Sequence, residues 1–305
     1  MPLSRRDFLK LSVPAAGAAG VLLLSKASTL PAVATTKSSS EAEKAMLYDA
    51  SKCVGCRACQ TACRKKNGFP PHTSIYGPLY DAPSDLEAET WTLIKVKKAT
   101  INGNNELLFR KYQCMHCTKA GCVAVCPTGA LKHNGLGFIE YNKSKCSGCG
   151  YCTQYCPFSI PRLGGSQLSG MEKMGKCDFC ADRVTNGRWT ACAEACPAGA
   201  LIFGNRDELV VKGEKRLSDV QMFYPKATFY GQNELGGLHV MYVLKDTSSV
   251  YDLPDNPKYP ENATVWQNIV KPLGYAAVGI VALGLIANVL VARTNLRGQE
   301  GHKEE

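Results

Sequence analysis

The sequence predicts an α+β chain of two internally related modules, each built around two cysteine-rich loops, followed by one C-terminal transmembrane helix. Three observations predict it. All sixteen cysteines fall into four runs of four: Cys53, Cys56, Cys59, Cys63; Cys114, Cys117, Cys122, Cys126; Cys146, Cys149, Cys152, Cys156; and Cys177, Cys180, Cys192, Cys196. Two runs close on one pattern, Cys126-Pro-Thr-Gly-Ala-Leu131 and Cys196-Pro-Ala-Gly-Ala-Leu201, and each leads into a strand-like segment. Residues 273–292 carry no charge and a single Asn.

The cysteine spacing names the chemistry. Cys146 to Pro157 reads Cys-x2-Cys-x2-Cys-x3-Cys-Pro, a [4Fe-4S] ligand run. Three thiolates at such intervals converge on one cubane from a tight loop, and the fourth, after a longer gap, points towards a second cubane. Pro127, Pro157 and Pro197 follow the last cysteine of their runs, whereas Arg64 follows the first run. Structural zinc also takes four thiolates, usually from two separated Cys-x-x-Cys pairs, and only the fourth run partly resembles that. A disulfide framework is disfavoured, because cysteines so closely spaced bridge with difficulty. The expected cofactors are four [4Fe-4S] clusters.

The formal charge of +10 invites a nucleic-acid reading, which the rest of the sequence does not support. Residues 1–34 hold Arg5, Arg6, Lys10 and Lys26 against Asp7, so their removal leaves +7. Sixteen thiolates and four oxidised cubane cores of roughly +2 each contribute about −8, which brings the loaded chain near −1. The lysines are scattered, and no basic stripe interleaved with aromatics appears.

In chain order, Ser4-Arg5-Arg6-Asp7-Phe8-Leu9-Lys10 reads as a twin-arginine export signal, with an apolar region to Leu24 and cleavage expected after Ala34. Pro14 and the small residues around it make a poor spanning helix, which argues against an uncleaved anchor. Residues 35–44 form a polar tether, and 46–49 a short strand entering the first cysteine run. Prolines at 70, 71, 78 and 83 predict a long irregular loop over 65–89, expected to touch a partner. Strands over 91–100 and 106–112 flank Asn102-Gly103-Asn104-Asn105, a hairpin signal that delivers Cys114.

Runs two and three stand close together with an Asn134-Gly135 turn between them, so they are expected to form an inner ferredoxin-like module, 113–157. Runs one and four then form the outer one, 45–112 with 158–219. With the fourth cysteines exchanged, Cys53, Cys56, Cys59 and Cys196 hold cluster 1, and Cys63, Cys177, Cys180 and Cys192 cluster 2. Cys114, Cys117, Cys122 and Cys156 hold cluster 3, and Cys126, Cys146, Cys149 and Cys152 cluster 4. His116 lies between two ligands and is given a structural or tuning role. A short surface helix is expected over 207–217 and an extended linker or partner-contact segment over 220–271, with a Pro-rich stretch at 253–260.

Residues 272–292 are expected to span the membrane, since the uncharged stretch gives about 30 Å of helix. Pro272 suits a helix start, and Lys271 and Arg293 bracket the span. A buried core helix is the plainer alternative. Ala277, Val281, Gly284 and Asn288 fall on one face, a seam suited to another membrane helix. Residues 293–305 are expected as a cytoplasmic tail.

These residues carry a resemblance. Tyr80-Asp-Ala-Pro-Ser-Asp-Leu-Glu-Ala-Glu-Thr-Trp91, Gly148-Cys-Gly-Tyr-Cys-Thr-Gln-Tyr-Cys-Pro-Phe-Ser-Ile-Pro-Arg162 and Gly236-Gly-Leu-His-Val-Met-Tyr-Val-Leu244 resemble segments of the iron-sulfur β subunit of respiratory, membrane-bound formate dehydrogenase of the nitrate-inducible type. The resemblance covers roughly residues 45–292. It implies an electron-transfer subunit between a molybdenum or tungsten pterin catalytic subunit and a b-type cytochrome that reduces quinone. It also implies that the module of runs one and four faces the catalytic subunit and that of runs two and three the membrane. The twin-arginine signal departs from those β subunits and is similar to the β subunit of a membrane-bound nickel-iron hydrogenase, the alternative. Cys149 departs from nitrate reductase β subunits, where the matching position is similar to a tryptophan. No base, nucleophile or pterin-binding feature stands out from the cysteine scaffold, so no catalytic residue is expected.

Overall fold

In the computed structural model, residues 42–70, 83–164 and 172–300 are described, without the side chains of 267 and 294–300. The twin-arginine segment 1–34, most of the tether, residues 71–82 of the proline-rich loop and the end of the tail lie outside the described residues. The elements run β1 (Lys44–Asp49), α1 (Ala58–Asn67), β2 (Thr92–Ile101), β3 (Asn104–Gln113), α2 (Gly121–Ala124), β4 (Leu131–His133), β5 (Ile139–Tyr141), α3 (Tyr151–Gln154), β6 (Arg162–Gly164), β7 (Lys173–Gly175), α4 (Ala181–Val184), α5 (Ala191–Glu194), β8 (Leu201–Asn205), α6 (Arg206–Gln221), β9 (Thr228–Tyr230), β10 (Val240–Leu244), α7 (Glu261–Val265) and α8 (Lys271–Glu300). The chain divides into one unit, Ser40–Pro272, and a second that contains Leu273–Glu305.

Alternation organises the first unit. Its four-stranded sheet has the order β8-β1-β10-β9, with β1 and β10 parallel and the outer pairs antiparallel. Successive side chains in a strand take opposite faces. Ala45 and Leu47 of β1, with Met241 and Val243 of β10, meet Leu209 and Val220 of α6. Met46, Tyr48, Val240, Tyr242 and Leu244 enter the main core on the other face, where Cys59, Cys114, Cys177 and Cys192 also lie. The sheet therefore has one face for a helix and one for the cysteines.

The linker expected over 220–271 is corrected by β10, whose five residues are all buried. Parallel pairing of Met46 with Val240 through Asp49 with Val243 puts that run at the sheet centre, covered on both faces. The longest stretch there without helix or strand is 252–260, just before α7. The short surface helix is longer than expected, because Val220 in its last turn is buried against the sheet. Arg216 ties it to the end of β1, with Nε 2.7 Å from the Asp49 carboxylate and a guanidinium N–H donating to Ser51 Oγ at 2.9 Å.

β2 and β3 pair with Ile101 opposite Asn104, leaving Asn102 and Gly103 as a two-residue turn with φ of 50° and 82°. Both angles lie in the left-handed region that a type I′ turn needs, and Asn-Gly supplies it at low cost. The hairpin ends at Gln113, one residue before Cys114. It is anchored to α1, where Gln60 Oε1 accepts from the Ile94 N–H at 2.8 Å.

Towards the C-terminus, α8 continues a helical stretch, Glu261–Arg293, that is long and apolar enough to cross a membrane and contains an 18-residue window of mean hydropathy 2.3. Pro272 is the second residue of α8. It has no N–H for the carbonyl of Asn268, and the preceding turn, Trp266–Val270, is π-helical, as suits a ladder interrupted by proline.

Candidate metal centres

Short helices carry cysteines of all four runs inward. Cys59 and Cys63 stand on α1, Cys122 on α2, Cys152 on α3 and Cys192 on α5. α1 packs on α5 and α2 on α3, so the first run meets the fourth and the second meets the third. Between the cysteines the chain repeatedly turns left-handed, at Gly55 and Arg57, at His116, at Gly148 and Gly150, and at Phe179 and Cys180. Such residues curl each loop tightly enough for successive thiols to share one side. Gly148 also lies against the carbonyl of Glu172, where a Cβ would collide with backbone.

Two cavities result. Cys53, Cys56, Cys59 and Cys196 line one, and Cys126, Cys146, Cys149 and Cys152 line another. Each takes three cysteines from one run and the fourth from the partner run. The other eight thiols lie among one another. Cys63 is influenced by Cys192 and Cys180, and Cys177 by Cys63 and Cys180. Cys117 is influenced by Cys114, Cys122 and Cys156.

Burial pushes these thiols up, and their neighbours push further. Burial raises Cys59 and Cys152 to about 12, Cys156 and Cys180 to about 11, with other cysteines adding to the rise. Deprotonated, four such groups need compensating positive charge, which a metal core supplies. Cys146 is the exception: burial opposes its thiolate, but the N–H groups of Met174 and Gly148 and the Tyr141 hydroxyl outweigh that and hold it below the usual thiol range. Its loop is thus set to receive an anionic sulfur. Among the described residues, no three His, Cys, Asp or Glu groups converge closely enough for one ion. Four thiols spread around one cavity, with no three of them close enough to hold a single ion, suit a wider group than zinc, and the residues fit [4Fe-4S] clusters.

Residues 45–127 and 105–206 each match a family described as 4Fe-4S dicluster domain. The chain is 37% identical over 271 residues to the formate dehydrogenase iron-sulfur subunit of Haemophilus influenzae, covering 86% of this chain and 85% of that protein. It is 39% identical to the nitrate-inducible formate dehydrogenase iron-sulfur subunit of Escherichia coli K12, over 79% of this chain and 82% of the relative. The chain belongs to the family of formate dehydrogenase iron-sulfur subunits. It is also 32% identical to the hydrogenase-2 operon protein HybA of Escherichia coli O157:H7, over 86% of both chains.

Three buried polar side chains in this iron-sulfur subunit lie beside the cysteine sets. His116 is fully enclosed, with its ring edge-on to Phe179 at 4.8 Å. Its Nδ1 accepts from the Ile139 N–H at 3.0 Å, which assigns the proton of the neutral ring to Nε2, and Nε2 has no acceptor among the protein atoms described. Lys176 donates to the carbonyls of Ile139 and Cys177 at 3.2 and 2.8 Å and lies near Cys122 and Cys156. Lys111 lines the cavity of Cys53, Cys56, Cys59 and Cys196. Burial opposes its charge, but Cys192, Cys59 and Cys177 more than restore it, so its pKa lies above the ordinary range. Sequence reasoning named His116 and missed both lysines. Their proximity to Cys114 and Cys177 was the one signal, and nothing local marks a lysine for burial.

The sets differ in exposure. Cys56 and Cys149 are exposed, whereas the sets of Cys63 and of Cys114 contain no exposed cysteine. Neighbouring sets also influence one another in sequence: Cys59 is raised by Cys192, Cys177 by Cys114, and Cys122 by Cys152.

Proposed function

We propose that the chain is an electron-transfer subunit carrying electrons through four [4Fe-4S] clusters, from a molybdopterin catalytic subunit that oxidises formate to a membrane b-type cytochrome that reduces quinone. One observation carries the reading. The exposed cysteines, Cys56 and Cys149, belong to the two end sets, and the sets between them contain no exposed cysteine. A path with two accessible ends and an insulated middle suits through-transfer rather than chemistry on a bound substrate.

The proposed ligands are Cys53, Cys56, Cys59 and Cys196; Cys63, Cys177, Cys180 and Cys192; Cys114, Cys117, Cys122 and Cys156; and Cys126, Cys146, Cys149 and Cys152. When bound, [4Fe-4S] clusters supply one-electron carriers whose potentials follow hydrogen bonding, charge and solvent exposure. The protein holds the thiolates, keeps those of the middle sets away from the exposed surface and supplies N–H donors such as those at Cys146. Electrons enter at the set of Cys56 and leave at that of Cys149. The body lies on the extracytoplasmic side after twin-arginine export, with the helical span inserted and the C-terminus cytoplasmic. The chain has no substrate site of its own, and the complex is the enzyme.

Iron and acid-labile sulfide analysis of the anaerobically purified complex tests the cofactor content. About sixteen iron atoms per chain are expected, all reducible by formate under paramagnetic resonance. Stoichiometric zinc, or half that iron, would overturn the reading. The similarity to HybA over 86% of the chain favours a second reading, in which a nickel-iron hydrogenase subunit is the donor. Reduction of the clusters by hydrogen but not by formate would select it.

A further inference from the structure

We propose that Lys111 is a fixed counter-cation shared by the first two cysteine sets, with its ammonium aimed at the cavity of Cys53, Cys56, Cys59 and Cys196, and that it makes both clusters easier to reduce. The proposal rests on the four-cluster reading above.

The side chain is 1% exposed. Its position follows from the hairpin: Lys111 stands on β3 opposite Ile94 of β2, two residues before Gln113 and three before Cys114. Its Nζ donates to Thr92 Oγ1 at 2.6 Å and to Gln113 Oε1. Both acceptors are neutral, and no carboxylate is paired with it among the ion pairs of the described residues. An ammonium has three N–H donors, so one is left for the cavity that Lys111 lines.

A buried ammonium held only by a hydroxyl and an amide is costly, because two neutral hydrogen bonds do not replace its hydration. The compensating anions are at hand. Cys59 belongs to the cavity, Cys192 and Cys177 belong to the adjoining set, and these three are the thiols with the largest electrostatic influence on Lys111. One lysine therefore stands in the field of both sets. Tyr242 fixes the strand beneath it, its hydroxyl donating to the Lys111 carbonyl at 2.9 Å.

The consequence is directional. A cubane with four thiolates carries roughly −2 when oxidised and about −3 after gaining one electron. The added negative charge is stabilised by a nearby fixed cation more than the oxidised state is, so removing the cation lowers the midpoint potential. The electron comes from the catalytic subunit in turnover, or from the mediator in a titration, and no proton or ligand is exchanged. The effect falls with distance, so the sets of Cys114 and of Cys149 are expected to shift less.

The test uses the intact complex. In Lys111→Met, redox titration followed by paramagnetic resonance is expected to show the reduction equilibria of the first two clusters weakened at least tenfold, or 59 mV for one electron. The other two clusters are expected to shift less, and Lys111→Arg to restore the first two. Four intact clusters with unshifted potentials would overturn the proposal while leaving the four-cluster reading in place, and an equal shift in all four would also overturn it. A measurement that needs no variant is the spin-echo modulation spectrum of wild-type complex labelled with 15N-lysine. A lysine nitrogen coupled to the reduced cluster of Cys53, Cys56, Cys59 and Cys196 is expected. Its absence defeats the proposal, even where Lys111→Met fails to assemble.

Discussion

Replacing Cys63 by serine tests the exchange of fourth cysteines directly. Cys63 follows Cys59 by one helical turn on α1, so a run-by-run assignment predicts damage to the cluster of Cys53, Cys56 and Cys59. The electrostatic neighbours of Cys63 predict otherwise: Cys192 and Cys180 influence it and no cysteine of its own run is among its largest influences, whereas Cys59, although also influenced by Cys192, is influenced by Cys53 and Cys196. The substitution removes one of four thiolates at a site that is 8% exposed. A neutral serine hydroxyl does not replace the lost negative charge. Asp178 is the nearby carboxylate, but it accepts from the Cys180 N–H at 2.8 Å and pairs with Lys66 at 3.4 Å, so it does not stand in as ligand. Loss of one cubane lowers iron from about sixteen to about twelve per chain. The assay pairs iron analysis with paramagnetic resonance of dithionite-reduced complex, using Cys56→Ser to identify the signal of the first set. Cys63→Ser is expected to abolish a different signal from Cys56→Ser. If both variants abolish the same one, the exchange is wrong and each run holds its own cluster.

Four further outcomes are expected. His116→Phe keeps the ring packing but removes the Nε2–H, which has no acceptor among the described protein atoms and is expected to be free to serve a cluster sulfur; a potential lowered by about 60 mV (~1.4 kcal/mol) in a neighbouring middle cluster is expected, and unchanged midpoints would make the ring purely structural. Gly213→Ala drives a methyl into the Phe229 ring and is expected to cost about 1–3 kcal/mol, read as earlier thermal release of iron; an unchanged release temperature would show that the ring has room to move. Truncation before Pro272 is expected to leave iron content and reduction by formate intact while slowing quinone reduction, and unimpaired transfer to quinone would reduce the span to a mere anchor. A reporter fused after Glu305 is expected to be active only when it requires the cytoplasm, and activity confined to the outside would reverse the topology.

Legibility followed the range of the interaction. The cysteine runs were readable because three ligands of a cubane come from one loop, and the hairpin because Asn102-Gly103 carries its own backbone preference. β10 was not readable as a central strand, since what covers it is β1, from the other end of the unit. A run such as Val240-Met-Tyr-Val-Leu244 is ambiguous until its partner is known. The end of α6 was missed for a related reason: Ser218 and Asp219 favour a stop, and burial of Val220 against the sheet overrides them. The glycines in the cysteine loops were visible as residues, but only the fold shows that Gly148 is pressed against the carbonyl of Glu172.

The basic composition shows why a charge count misleads in such a chain. Read from the sequence, the +10 excess belongs to the surface, where it would attract polyanions. The fold places part of it inside. Lys111 and Lys176 are each 1% exposed, and the hydrogen bonds of each among the described residues go to neutral acceptors: Thr92 and Gln113 for one, the carbonyls of Ile139 and Cys177 for the other. Two uncompensated buried cations would be a heavy burden for a domain of ordinary stability, because leaving one charge unpaired costs several kcal/mol. They lie beside different thiols, Lys111 near Cys59, Cys177 and Cys192, and Lys176 near Cys122 and Cys156. The simplest compensation is the net negative charge that four thiolates keep after binding a cubane core, which is local to those thiols and invisible to composition. On the four-cluster reading the lysines are expected to act as interior counter-ions for the cofactors, so this part of the formal excess does not describe the surface.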